Sequence, residues 1–252
     1  MKIEHNEWLP SFLFSGVGRD VDTTYFFRPH VVSREESALF DIKVSFYRRG
    51  VSKPLVLDYK DVCFNSDWTL RVRDVLPDYD HTSEEYVYTE LFASSRNLEP
   101  NVYNHSLTFF GQHTSTDGRL AGYLATNSVW GAPRRVYRER YFCDTFPGAR
   151  IDDELCLKIF VVNPFVRKCS FRVTLYHSAK GQFITEWKEI AGHSVETIVL
   201  DTATTGGTTG LFGVMLEADT KVASFYSTVS RKTGQMIGID HGHPYLLDVL
   251  SH

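Results

Sequence analysis

Cysteine, methionine and proline are all scarce in this 252-residue chain, at four, three and nine copies. Cys63, Cys143, Cys156 and Cys169 show no Cys-x-x-Cys or other ligand spacing, which argues against a zinc ribbon or a redox dithiol. Cys156 and Cys169 stand inside apolar runs, where a free thiol behaves as a small hydrophobe, so structural thiols are expected. No stretch is apolar for long enough to span a bilayer as a helix. The start, Met1-Lys2-Ile3-Glu4-His5-Asn6-Glu7, lacks the basic-then-apolar run of a secretory signal, and a cytoplasmic location is expected. In that compartment the sequon Asn104-His105-Ser106 has no consequence. Neither sign of charge dominates: 27 basic against 31 acidic residues give a net −4. That balance argues against a nucleic-acid or membrane-surface partner. There is also no Gly-x-Ser-x-Gly elbow, no phosphate-binding glycine loop, no His-Glu-x-x-His and no dinucleotide fingerprint.

Aromatic residues are abundant, with 18 Phe and 13 Tyr. Rings at this density suit pleated sheets and also suit binding faces. Apolar and polar residues alternate with period two: Phe40, Ile42, Val44 and Phe46 against Asp41, Lys43 and Ser45, then Trp68, Leu70 and Val72 against Thr69, Arg71 and Arg73. Phe171, Val173 and Leu175 alternate with Arg172 and Thr174 in the same way. This is the signature of strands with one buried face. Turn signals at Asp117-Gly118, Asn163-Pro164, Lys180-Gly181, Gly206-Gly207 and Thr233-Gly234 separate the runs.

The chain also repeats itself. Tyr59-Lys60-Asp61-Val62 returns as Trp187-Lys188-Glu189-Ile190, Phe46-Tyr47 as Leu175-Tyr176, and Ser66–Leu70 as Ser194–Ile198. Asp117–Tyr123 answers Thr233–Ile239, and Tyr25–Pro29 answers Ile159–Pro164. Five matches in one order predict an all-β chain made by tandem duplication of an antiparallel, jelly-roll-like β-sandwich. The expected limits are 1–131 and 141–252, with an Arg-rich linker at 132–140 read as solvated. An insertion in the first copy is expected around 77–85.

The conspicuous polar cluster is Asp240-His241-Gly242-His243-Pro244-Tyr245, which has no equivalent in the first copy's Tyr123–Asn127. In an extended segment His241 and His243 share a face and can chelate Zn²⁺ or Fe²⁺, with Asp240 orienting a ring from the outer shell. A third ligand would come from His177, His193, His105 or His113. The plainer reading is a turn, with Gly242 permitting the bend, Asp240 capping it and Pro244 fixing the exit. A cupin-like site is not expected, because the cupin glutamate has no counterpart in Tyr245-Leu246-Leu247-Asp248. Phe225-Tyr226 and the hairpin tip Arg231-Lys232 form a second candidate surface together with Tyr245, one ring of the pair facing outward as a stacking platform for a sugar. Gly206–Gly210 reads as a strand connection and Asp152-Asp153-Glu154 as a solvated edge.

The second half resembles the sensory-rhodopsin transducer family of small bacterial β-sandwich proteins, through Val161-Val162-Asn163-Pro164, Thr174-Leu175-Tyr176, Lys180-Gly181, Ile198-Val199-Leu200-Asp201 and Ser230-Arg231. That resemblance implies a non-enzymatic, oligomerising fold that docks to partners. The combined expectation is a binding or assembly protein without cofactor, engaging a protein or carbohydrate and forming a homo-oligomer. A metal-dependent enzyme centred on Asp240, His241 and His243 is the alternative.

Overall fold

The computed structural model describes residues 10–18, 21–27, 38–49, 51–63, 66–76, 84–95, 109–115, 121–125, 127–128 and 141–247. For 141–143 and 243–247, among others, the description stops at the backbone. The chain divides into two compact units, residues 1–116 with 123–131 and residues 117–122 with 132–252. The expected linker, 132–140, and the core of the expected insertion, 77–83, lie outside the described residues.

The first unit runs β1 (Ser11–Gly18), β2 (Val21–Phe27), β3 (Leu39–Tyr47), β4 (Leu55–Cys63), β5 (Thr69–Arg71), α1 (Val72–Val75), β6 (Glu84–Ser95), β7 (Phe109–Ser115), β8 (Ala121–Ala125) and β9 (Asn127–Ser128). The second runs β10 (Tyr141–Ile151), β11 (Leu155–Asn163), β12 (Cys169–His177), β13 (Gly181–Ile184), β14 (Lys188–Ile190), β15 (Ser194–Leu200), β16 (Gly210–Ala218), β17 (Ala223–Ser230), β18 (Met236–His241) and β19 (His243–Leu247). All pairings are antiparallel in both. The all-β class is therefore as the alternation indicates, and among the described residues no helix is long and apolar enough to cross a membrane.

Each unit has two sheets. In the first they are β4-β3-β6-β1-β9 and β5-β2-β7-β8; in the second, β13-β12-β16-β10-β19 and β15-β11-β17-β18, with β14 also on β12. Reading the second unit in place of the first reproduces the strand order throughout, the one difference being that β4 becomes two pieces, β13 and β14. The ladders align in detail. Leu91 pairs with Val44 on one side and Ser11 on the other, as Leu216 pairs with Val173 and Asp144.

Alternation buries one face of each sheet. Phe171, Val173 and Leu175 of β12 meet Leu157, Ile159 and Val161 of β11 in the second core. Each such ring or branched side chain contributes roughly 1.5–3 kcal/mol on burial. The sequence alternation through 68–73 is partly redirected: only Thr69–Arg71 is strand, and Val72 begins a single helical turn closed by Leu76 N–H to Val72 O at 3.1 Å. That turn buries Val72 and Leu76 while Arg71 and Arg73 both reach the Asp22 carboxylate, at 3.1 and 3.4 Å. Local ion pairing and core contact outweigh the extended preference there.

Candidate functional site

The second unit's polar cluster is built where the chain passes from one sheet to the other. His241 ends β18, which pairs with β17; His243 begins β19, which pairs with β10. Only Gly242 separates them, so the segment is extended, not the turn that glycine and proline suggest. The glycine is required by close approach. A Cβ there would stand 2.5 Å from Ser224 Oγ and 2.9 Å from Asp144 Oδ2. Gly242 N–H instead donates to Ser224 O at 2.9 Å.

Beneath this junction lies Asp144, which is 2% exposed. It is in phase with Phe146 on β10, so the strand points it inward among apolar neighbours. Its Oδ2 accepts the Ser224 hydroxyl, while Oδ1 has no hydrogen-bond partner among the described residues. Burial pushes its pKa up to about 6, and Ser224, His241 and Lys221 oppose that shift without cancelling it. In the first unit the aligned ladders put Ser11 in place of Asp144. Phe109, opposite Phe27, stands in place of Ser224, opposite Val161. The buried acid and its hydroxyl partner are thus particular to the second unit.

Asp240 uses its carboxylate within the cluster. Oδ1 accepts from the backbone N–H and from Nδ1 of His241, at 2.8 and 3.0 Å, and Oδ2 accepts from Tyr226 OH at 3.5 Å. That bond selects the His241 tautomer whose lone pair is on Nε2. The His243 side chain lies outside the described part. The expected third ligands are engaged elsewhere. His177 Nδ1 accepts the turn N–H groups of Ala179 and Lys180, both at 3.2 Å. His193 is at a turn with φ +46°, bound through its N–H to Phe165 O. His113 is sealed in the first core, stacked on Phe14 at 4.7 Å and bonded to Thr23 Oγ1, and burial holds its basicity down to about 3. His105 lies outside the described residues. Among the described residues, no three His, Cys, Asp or Glu side chains come together as a metal-holding group.

The expected aromatic platform on β17 is corrected. Phe225 is wholly buried, 0% exposed, so its ring cannot meet a ligand. Tyr226 is the half-buried member, packed edge-on to Phe146 at 5.0 Å and tied to Asp240. Alternation does separate the rings, but both faces of β17 are covered at this point. At the hairpin tip Arg231 braces neighbouring loops, bonding Thr202 Oγ1 at 2.8 Å and Asp152 O at 3.2 Å, and Lys232 is exposed. The Tyr245 side chain lies outside the described part.

Among the described residues, the exposed rings lie instead on the outer face of β12 and its neighbours. Tyr176, Ile184 and Trp187 are 37%, 55% and 44% exposed. Register places Thr174 between Ile184 and Met215, and Tyr176 between Gln182 and Gly213. Arg172 sits over the Trp187 ring at 4.9 Å and grips Glu217 with two nitrogens, at 2.8 and 3.1 Å. Trp187 drew attention in the sequence only as a repeat match, because nothing local distinguishes an outward ring from an inward one. Asp144 was legible in principle, as a carboxylate in phase with Phe146.

Compared with models of known protein families and with curated proteins, the chain matches none.

Proposed function

We propose that this chain is a binding module without catalysis, which engages a carbohydrate or a protein through the outer face formed by β12, β13, β16 and Trp187. The observation that carries the reading is the Trp187–Arg172–Glu217 arrangement. A guanidinium stacked on an exposed indole and held by two hydrogen bonds to a carboxylate keeps the ring in place before any ligand arrives. Ordering in advance lowers the entropic cost of association. Exposed Tyr176 and Ile184 extend the patch, and hydroxyls of a sugar find donors and acceptors in the same ion pair. The resemblance to the transducer family and a cytoplasmic location fit such a role. The identical strand order of the two units supports their origin by duplication.

The test is a glycan array, followed by a pull-down with the whole chain where no glycan binds. Trp187→Ala is expected to weaken the ligand found by tenfold or more, with an unchanged melting temperature. Equal binding by the variant overturns the reading.

A second reading, a metal-dependent enzyme, is favoured by the Asp240–His241 bond, the usual second-sphere geometry of a metal-bound imidazole. Elemental analysis decides it. Stoichiometric Zn or Fe lost in the His241→Ala, His243→Ala double variant supports it. Apo protein whose melting temperature ignores added Zn²⁺ or Fe²⁺ rules it out.

A further inference from the structure

We infer that β4 is a self-pairing edge, through which two copies of the chain join their sheets across a two-fold axis. Among the described sheet edges β4 is the longest at nine residues, and none of its residues is buried. Leu55 and Val56, on opposite faces, are each 39% exposed, and Val51 just before the strand is 55% exposed. An unpaired strand of this kind is a template for another strand unless it is shortened, charged or covered. The second unit shortens it: the corresponding edge is broken into β13, four residues, and β14, three. The first unit does not.

The inner face of the edge is covered only in part, by Trp68 edge-on to Tyr59 at 5.4 Å. Leu55, Leu57 and Tyr59 pair with Phe46, Val44 and Ile42, whose side chains are in the core, but the facing sheet ends in β5, only three residues long. Leu55 and Leu57 therefore overhang the sandwich, and a further strand carrying apolar residues at alternate positions would cover them.

The segment is complementary to itself. With Val56 on the axis, antiparallel pairing sets Leu55 against Leu57 of the second copy, and Lys53 against Tyr59. No like charges stand opposite one another in this register. The flat stretch ends at Asp61, where φ is +56° and the β3–β4 register shifts, so pairing centred further along would cross an irregularity. A two-fold contact of this type is isologous and closes as a dimer, joining two five-stranded sheets into one of ten.

Light scattering across a concentration series tests the inference, with Val56→Lys and, as a control on another exposed edge position, Val199→Lys. A concentration-dependent dimer that Val56→Lys converts to monomer, and Val199→Lys leaves intact, is expected. Both variants should keep the wild-type far-UV spectrum, because both sites are solvent-exposed in the single chain. In a Cys63→Ser background, Val56→Cys should form a disulfide-linked dimer under mild oxidation, because the axis sets position 56 opposite itself. A monomer at all concentrations overturns the inference, including the case in which a strand of a different protein takes the edge. So does a dimer that survives Val56→Lys, or a Val56→Cys variant that does not cross-link.

Discussion

Asp144 shows how one side chain sets a pH response. Its carboxyl is raised from 3.8 to about 6 by burial, so the folded chain holds that proton more tightly than the unfolded chain. Stability from this group is therefore greatest below about 4 and declines as pH rises to about 6, above which the ionised form is buried at a constant cost. Asp144→Asn should raise neutral-pH stability by on the order of 2–3 kcal/mol. The gain should shrink on acidification and vanish near pH 4. Denaturant melts of both proteins at pH 4, 5, 6 and 7 check the slope, and a gain independent of pH would contradict it. Gly242 makes the complementary point about space. Gly242→Ala should cost about 1–3 kcal/mol, because its methyl meets Ser224 and Asp144. Adding Ser224→Ala should recover part of that loss, which a double-mutant cycle would register as non-additivity.

Elements depend on polar ties that the turn signals only hint at. Asn163-Pro164 marks the end of β11, but Asn163 does more than break a strand. Wholly buried, it donates from Nδ2 to Arg167 O at 2.6 Å and Ala191 O at 3.0 Å, and accepts from Phe165 N–H at 3.0 Å. One amide therefore holds two loops that are distant in sequence. Asn163→Ala should destabilise the second unit by about 1–3 kcal/mol, through carbonyls left without donors. Hydrogen exchange should show the loss first around 164–167 and 191–193; uniform exchange across the unit would argue against a local tie. The first unit has its own polar insert, in which Ser15 joins Tyr25 at 2.8 Å and Thr89 at 2.5 Å, while the aligned second-unit positions of Tyr25 and Thr89 are Ile159 and Val214. Strand order is common to both units, and buried polar groups are where they differ.

At the scale of the whole molecule, thiol chemistry reports on global stability. Cys63 is exposed, whereas Cys156 and Cys169 are buried, and burial pushes the Cys169 thiol up to about 12. In a Cys143→Ser background a thiol reagent should therefore label one site rapidly under native conditions. Cys169 should react only at the rate of global opening, slowing with any stabilising condition. Fast labelling of Cys169 in folded protein would show that its core opens locally.

The sequence alone determined the all-β class, the period-two cores of β3 and β12 and the peculiarity of 240–245, because these depend on residue order and alternation. Period two also separated Phe225 from Tyr226, but it could not say that both faces of their strand are covered. Tertiary structure decided that, since burial depends on the layers packed above and below a strand. Close packing at Gly242, the bond from Ser224 to Asp144, and the outward set of Trp187, Arg172 and Glu217 are likewise meetings between distant segments. Local spacing cannot specify such meetings, because each takes its geometry from the ladder registers and from the sheet opposite.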